Sequence, residues 1–182
     1  GGTAVRLPGT YLAILDEIEY MTEGSASIKI LPARESGIHG IVALAKFDET
    51  EKGLPFNQTD GEWLTAQYVH SKGEPKVRLA TSHPDPERRW GIIDETAVPV
   101  VPGRWHELEL VIERTPQLKA RILWNGAEKV RYEADGPFLG QKLEGGRVGY
   151  FAMLRNGKQH IFPVDDFQAE IPDTEAPQTS DE

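Results

Sequence analysis

The chain has 182 residues, is 38% hydrophobic and 27% charged, carries a formal net charge of −9 and contains no cysteine. This composition gives one globular domain with a buried core, while the negative charge sets it against nucleic acid and anionic membranes at long range. Disulfides and thiolate metal sites are excluded, and no run of about 20 apolar residues predicts a membrane span.

In chain order the pattern is strands separated by turns. The start, Gly1-Gly2-Thr3, has no initiator Met, as in a mature or excised piece of a longer protein. Tyr11 to Met21 has apolar residues at Tyr11, Leu15, Ile18 and Met21, which suits a helix as well as a strand; a strand is expected, because a sandwich needs an N-terminal strand. Ser27 to Leu31 alternates around Ile28 and Ile30, and Gly37 to Phe47 is nearly continuous in apolar residues, as in a strand covered on both faces. Trp63 to His70 and Lys76 to Thr81 predict a hairpin around Lys72-Gly73. On its first strand Trp63, Thr65, Gln67 and Val69 share one face and Leu64, Ala66, Tyr68 and His70 the other. Both faces are mixed, so the pattern leaves open which one is inside.

Pro84, Pro86, Pro99 and Pro102 punctuate Ser82 to Gly103, which predicts loops around one short strand. Leu108, Leu110 and Ile112 then share one face of a strand, with Glu107, Glu109 and Glu113 on the other. Asn125-Gly126 is the strongest local signal, because a two-residue Asn-Gly loop supplies the positive φ angles of a type I′ hairpin. Arg147 to Leu154 and Val164 to Ile171 complete the set. Together these predict an all-β, two-sheet antiparallel sandwich over residues 1–171. Residues 172–182 are acidic and lack any aliphatic side chain longer than Ala, as in a solvated linker leading to a further module.

Four motifs occur in order from residue 103: Gly103-Arg104-Trp105-His106, Asn125-Gly126, Gly145-Gly146-Arg147-Val148-Gly149 and Asp165-Asp166-Phe167. This series resembles the laminin G-like, concanavalin A-like jelly rolls over roughly the last 70 residues. The resemblance implies the fold, with Trp105 and Trp124 as packing residues. It leaves the function open among carbohydrate-binding modules, lectins, adhesion domains, glycoside hydrolases and polysaccharide lyases.

A carbohydrate partner directs attention to aromatics outside those motifs, because sugar rings stack on them. Trp63, Tyr68 and Trp90 qualify, with Gln67, His70, Arg78, Arg89 and Asp94 as polar partners. The expected sugar-binding set is therefore Trp63, Tyr68, His70, Arg78, Arg89 and Trp90. The enzyme alternatives fit less well. Glu17-Ile18-Glu19-Tyr20-Met21-Thr22-Glu23 departs from the laminarinase pattern by placing Glu19 where an Asp belongs, and it lies too near the N-terminus. A lyase needs Gln and His on one strand face, whereas Gln67 and His70 are three residues apart and fall on opposite faces, although Tyr150 could serve. Five histidines show no zinc-like spacing. A structural calcium is the expected cofactor, with Asp165 or Asp166 from the last strand and Glu17 or Glu19 from the first as ligands. The reading is a non-catalytic, lectin-like module of a larger secreted, bacterial protein, with an adhesion or spacer domain as a further alternative.

Overall fold

The computed structural model describes residues 3–7, 10–14, 20–32, 37–46, 61–70, 73–82, 90–133, 143–154 and 164–172. They form two antiparallel sheets, with no helix among the described residues. The seven-stranded sheet runs β1 (Thr3–Leu7), β2 (Thr10–Ile14), β11 (Arg147–Leu154), β4 (Gly37–Lys46), β5 (Glu62–His70), β6 (Lys76–Ser82) and β7 (Trp90–Ala97). The five-stranded sheet runs β10 (Ala127–Glu133), β9 (Leu118–Trp124), β8 (His106–Arg114), β3 (Gly24–Ile30) and β12 (Val164–Glu170).

Period-two alternation decides what lies between the sheets. In β8, Leu108, Leu110 and Ile112 are buried and the alternate Glu107, Glu109, Val111 and Glu113 are not; in β9, Leu118, Ala120, Ile122 and Trp124 are buried in the same rhythm. They pack with Ala26, Ile28 and Ile30 of β3 against Ile41, Ala43, Leu64, Ala66, Tyr68, Val77 and Leu79 of the seven-stranded sheet. The continuous apolar run of β4 has the reason its sequence implied: its other face feeds a second cluster of Val42, Ala45, Trp63 and Phe151. A bulge between Ala43 and Lys46, with Leu44 at φ 54°, lets the adjacent Ala43 and Leu44 both enter the main core.

Most of the expected strands are present, including the hairpin of β5 with β6 and the short strand β7. In the ambiguous Tyr11–Met21 segment, β2 covers Tyr11 to Ile14 and Met21 bridges to Gly146; residues 15–19 lie outside the described residues. So does the expected tail beyond Pro172. One expectation fails. Trp124 is 1% exposed, as a packing residue should be, but Trp105 is 46% exposed. The Val101–Arg104 turn that precedes it carries it out of the core.

Asn125 and Gly126 have φ 51° and 75° between the paired Trp124 and Ala127, the two positive angles of a type I′ turn. Asn125 also accepts the Glu107 N–H on Oδ1 at 3.0 Å and donates its own N–H to the Glu107 carbonyl at 2.9 Å. A side chain at residue 126 would project into open space, so Gly126→Val is strained only through the backbone. A left-handed β-branched residue costs about 1–2 kcal/mol, and the melting midpoint should fall by roughly 3–6 °C with the β spectrum intact. An unchanged midpoint would contradict this turn.

Candidate functional site

Because Leu64, Ala66 and Tyr68 of β5 face the core, alternation turns Trp63, Thr65, Gln67 and Val69 to the opposite face of the seven-stranded sheet. On that outer face, cross-strand register places five residues in one row: Phe151 opposite Gly40, Gly40 opposite Gln67, Gln67 opposite Arg78 and Arg78 opposite Glu95. The Phe151 ring lies over Gly40, where a Cβ would collide with it. Beyond it the row is polar.

Glu95 receives Lys76 Nζ on Oε1 at 2.7 Å and Arg78 Nε on Oε2 at 2.9 Å. These donors, Lys76 foremost, hold its carboxyl below the usual carboxylate range. Gln67 is 6% exposed; its Nε2 donates to Thr65 Oγ1 at 2.9 Å, and Thr65 Oγ1 donates to the Ala80 carbonyl at 3.2 Å. Gln67 Oε1 is buried with no hydrogen-bond partner. An orphaned buried acceptor costs about 1–3 kcal/mol, so it marks either strain or a waiting ligand.

The expected sugar-binding residues separate on this frame. Arg78 lies on the outer face in the row. Trp63 shares the face, but its ring is 1% exposed and packed with Val42, Ala45 and Phe151, which leaves no face to stack on a sugar. Tyr68 points inward, 2% exposed, its ring stacked on Trp124 at 5.2 Å between centroids. His70 meets Tyr68 edge-on at 6.3 Å, so the face these two share is the interior and not a groove. Gln67 and His70 do fall on opposite faces, as a lyase site would not allow. Trp90 opens β7 opposite Ser82, its side chain outside the described residues; Arg89, Glu17 and Glu19 also lie outside them. The partner that sequence reasoning missed is Glu95, and the register of the β6–β7 hairpin was the signal that could have found it.

Of the expected calcium ligands only Asp165 and Asp166 are among the described residues. Asp165 Oδ1 accepts the Asp166 N–H at 2.9 Å, and Asp166, at φ 55°, forms a bulge in β12. Asp166 Oδ2 takes Lys29 Nζ at 2.6 Å and Oδ1 takes Gln168 Nε2 at 2.7 Å. Lys29 thus supplies a positive charge to this carboxylate. Among the described residues no group of three His, Asp or Glu could hold an ion.

The outer face of the five-stranded sheet mixes charges, with Arg121 paired to Glu113 and Glu128 and Lys119 to Glu133. A hollow of about 130 Å³ lies among Ser25, Ser27, Glu107, Glu109, Gln168 and Glu170, and an open groove of about 480 Å³ runs past Glu23, Glu113 and Glu170. Burial first, then the Glu107 charge, raises the Glu109 carboxyl above its ordinary range.

No protein-family model matches the chain, and no curated protein matches it in sequence. Solved structures do match. A protein of unknown function with a galectin-like fold from Bacillus subtilis superposes with TM-score 0.65 at 15% identity, over 94% of this chain and 86% of that one. The carbohydrate-binding module CBM66 from Bacillus subtilis gives TM-score 0.55 at 11% identity, over 91% and 92%. A κ-carrageenase from Pseudoalteromonas carrageenovora gives 0.52 at 10%, over 80% of this chain and 55% of that one. The fold is the concanavalin A-like jelly roll. At these identities the matches establish architecture alone.

Inside this jelly roll, His39 is 2% exposed with Nδ1 at 2.8 Å from Tyr150 Oη, the two rings stacked at 6.3 Å. Burial lowers the His39 pKa from 6.5 to about 4, pushes Tyr68 up to about 12 and raises Tyr150 further. His39 is neutral in the fold above its own pKa, whereas the unfolded chain takes up a proton near 6.5. Stability from this residue is therefore full above pH 6.5 and is lost as pH falls to about 4, amounting to about 3 kcal/mol. Between pH 7 and pH 4.5 the wild-type midpoint should drop by several degrees more than that of His39→Gln. Equal drops would contradict the burial of a neutral imidazole.

Proposed function

We propose that this domain is a non-catalytic carbohydrate-binding module of a secreted or cell-surface protein, and that it takes an oligosaccharide or polysaccharide on the outer face of the seven-stranded sheet. The observation that carries the reading is the row Gln67–Arg78–Glu95, in which an unpartnered amide oxygen stands beside a guanidinium–carboxylate pair. Sugar hydroxyls both donate and accept, so they can meet the Arg78–Glu95 pair, and one reaches Gln67 Oε1 once that side chain turns outward from its buried position. The structural neighbours lend support, since they include a carbohydrate-binding module and an enzyme in complex with an oligosaccharide of κ-carrageenan. Binding is favoured over hydrolysis because the row carries a single carboxylate, Glu95, where hydrolysis needs a pair.

Gln67→Leu separates function from folding. It removes the orphaned oxygen and leaves Thr65 its own acceptor, so the melting midpoint should be unchanged or higher. Binding of the best ligand from a glycan array should weaken by about tenfold or more in calorimetry, the loss of about 1.4 kcal/mol expected for a hydrogen bond made inside a site. A folded Gln67→Leu that binds like wild type would remove the row from the site, and a wild type that binds no glycan would remove the function.

A further inference from the structure

Trp105 is the exposed exception among the tryptophans whose side chains are described, at 46% against 1% for Trp63 and Trp124. It follows a tight turn. Pro102 occupies the second position, Gly103 has φ 74° at the third, and Arg104 N–H donates to the Val101 carbonyl at 3.2 Å. Pro followed by a positive-φ Gly is the signature of a type II turn. The turn is fastened from below. Trp124 Nε1 donates to the Pro99 carbonyl at 3.0 Å, and Val98 N–H donates to the Pro75 carbonyl at 2.9 Å. His106, 6% exposed and stacked on Trp124 at 5.1 Å, meets the Val101 backbone through Nε2 and the Asn125 amide through Nδ1 at 2.9 Å.

A large apolar ring is thus held out to solvent on a short, anchored turn instead of folding back. Val101, 48% exposed, and Pro102 extend the apolar patch, and Arg104 is exposed with no ion-pair partner among the described residues. We propose that the Val101–Trp105 turn is a second glycan-contact site, in which Trp105 stacks on a sugar ring and Arg104 pairs with a carboxylate or sulfate on that sugar.

Size and charge choose this occupant. A half-exposed Trp with its neighbours offers at most a few hundred Å², well below the roughly 800 Å² per partner of a stable protein interface. An indole face matches a single sugar ring. A net charge of −9 opposes an extended anionic lipid surface, while the local guanidinium, with no ion-pair partner among the described residues, attracts one anionic substituent. The class of ligand rests on the carbohydrate-binding reading above; the place does not, because the turn shares no residue with the Gln67 row.

The test uses the full chain with oligogalacturonate and chondroitin sulfate oligosaccharides as carboxylate and sulfate probes, and cello- and xylo-oligosaccharides as neutral ones. Trp105→Ala, Trp105→Tyr, Arg104→Gln and Gln67→Leu are compared by calorimetry and melting. Trp105→Ala and Arg104→Gln should melt with wild type yet bind at least one anionic probe about tenfold more weakly. Trp105→Tyr should recover most of the binding lost in Trp105→Ala, and Arg104→Gln should leave neutral probes unaffected. Wild-type affinity for every probe in folded Trp105→Ala and Arg104→Gln would overturn the second site, and a loss in Gln67→Leu alone would do so while leaving the first site standing. A wild type that binds no probe would overturn both.

Discussion

Three parallel rings hold this molecule together. Tyr68 from the seven-stranded sheet stacks on Trp124 from the five-stranded sheet, within 9° of parallel, and Trp124 stacks on His106 within 8°. Offset aromatic stacking adds about 0.5–1.5 kcal/mol per pair beyond the area it buries, and here it clamps one sheet to the other. The clamp also decides orientation. With Tyr68 fixed inward, the period of two leaves Gln67 no choice but the outer face, and the register of β5, β6 and β7 brings Arg78 and Glu95 beside it. The polar edges of Trp124 and His106 then fasten the 98–105 segment from inside.

The two outer faces are consequently unlike. The five-stranded sheet carries Glu107, Glu109 and Glu113 of β8 with Glu170, interleaved with the cations Lys29, Lys119 and Arg121. The seven-stranded sheet instead carries an amide and an ion-pair network in which Lys76 and Arg78 share one carboxylate.

The fold was readable because strand periodicity and turn chemistry are local. Asn125-Gly126 needs only its two residues to specify a turn, and Leu108, Leu110 and Ile112 declare their shared face without reference to the rest of the chain. The site was less readable because it is a matter of register. Arg78 and Gln67 were identifiable as polar strand residues, but their alignment with Glu95 depends on pairings that the sequence does not spell out. Trp63 and Tyr68 misled for a related reason: both faces of β5 are mixed, and a strand buried on each side has no polar face by which to orient it. Trp105 misled through the motif containing it, although Val101-Pro102-Gly103-Arg104 states in its own residues that a turn precedes the ring. The Asp165-Asp166 pair serves a bulge and an ion pair that its sequence does not announce, because Asp tolerates the left-handed backbone that a bulge requires.

The most direct measurement of the central claim is an amide chemical-shift map of the labelled domain titrated with a glycan it binds. If the outer face of the seven-stranded sheet is the binding surface, the largest shifts fall on Gln67, Arg78, Glu95 and their neighbours in β5, β6 and β7. Largest shifts on Ser27, Glu107, Glu109 and Gln168, across the five-stranded sheet, would contradict it.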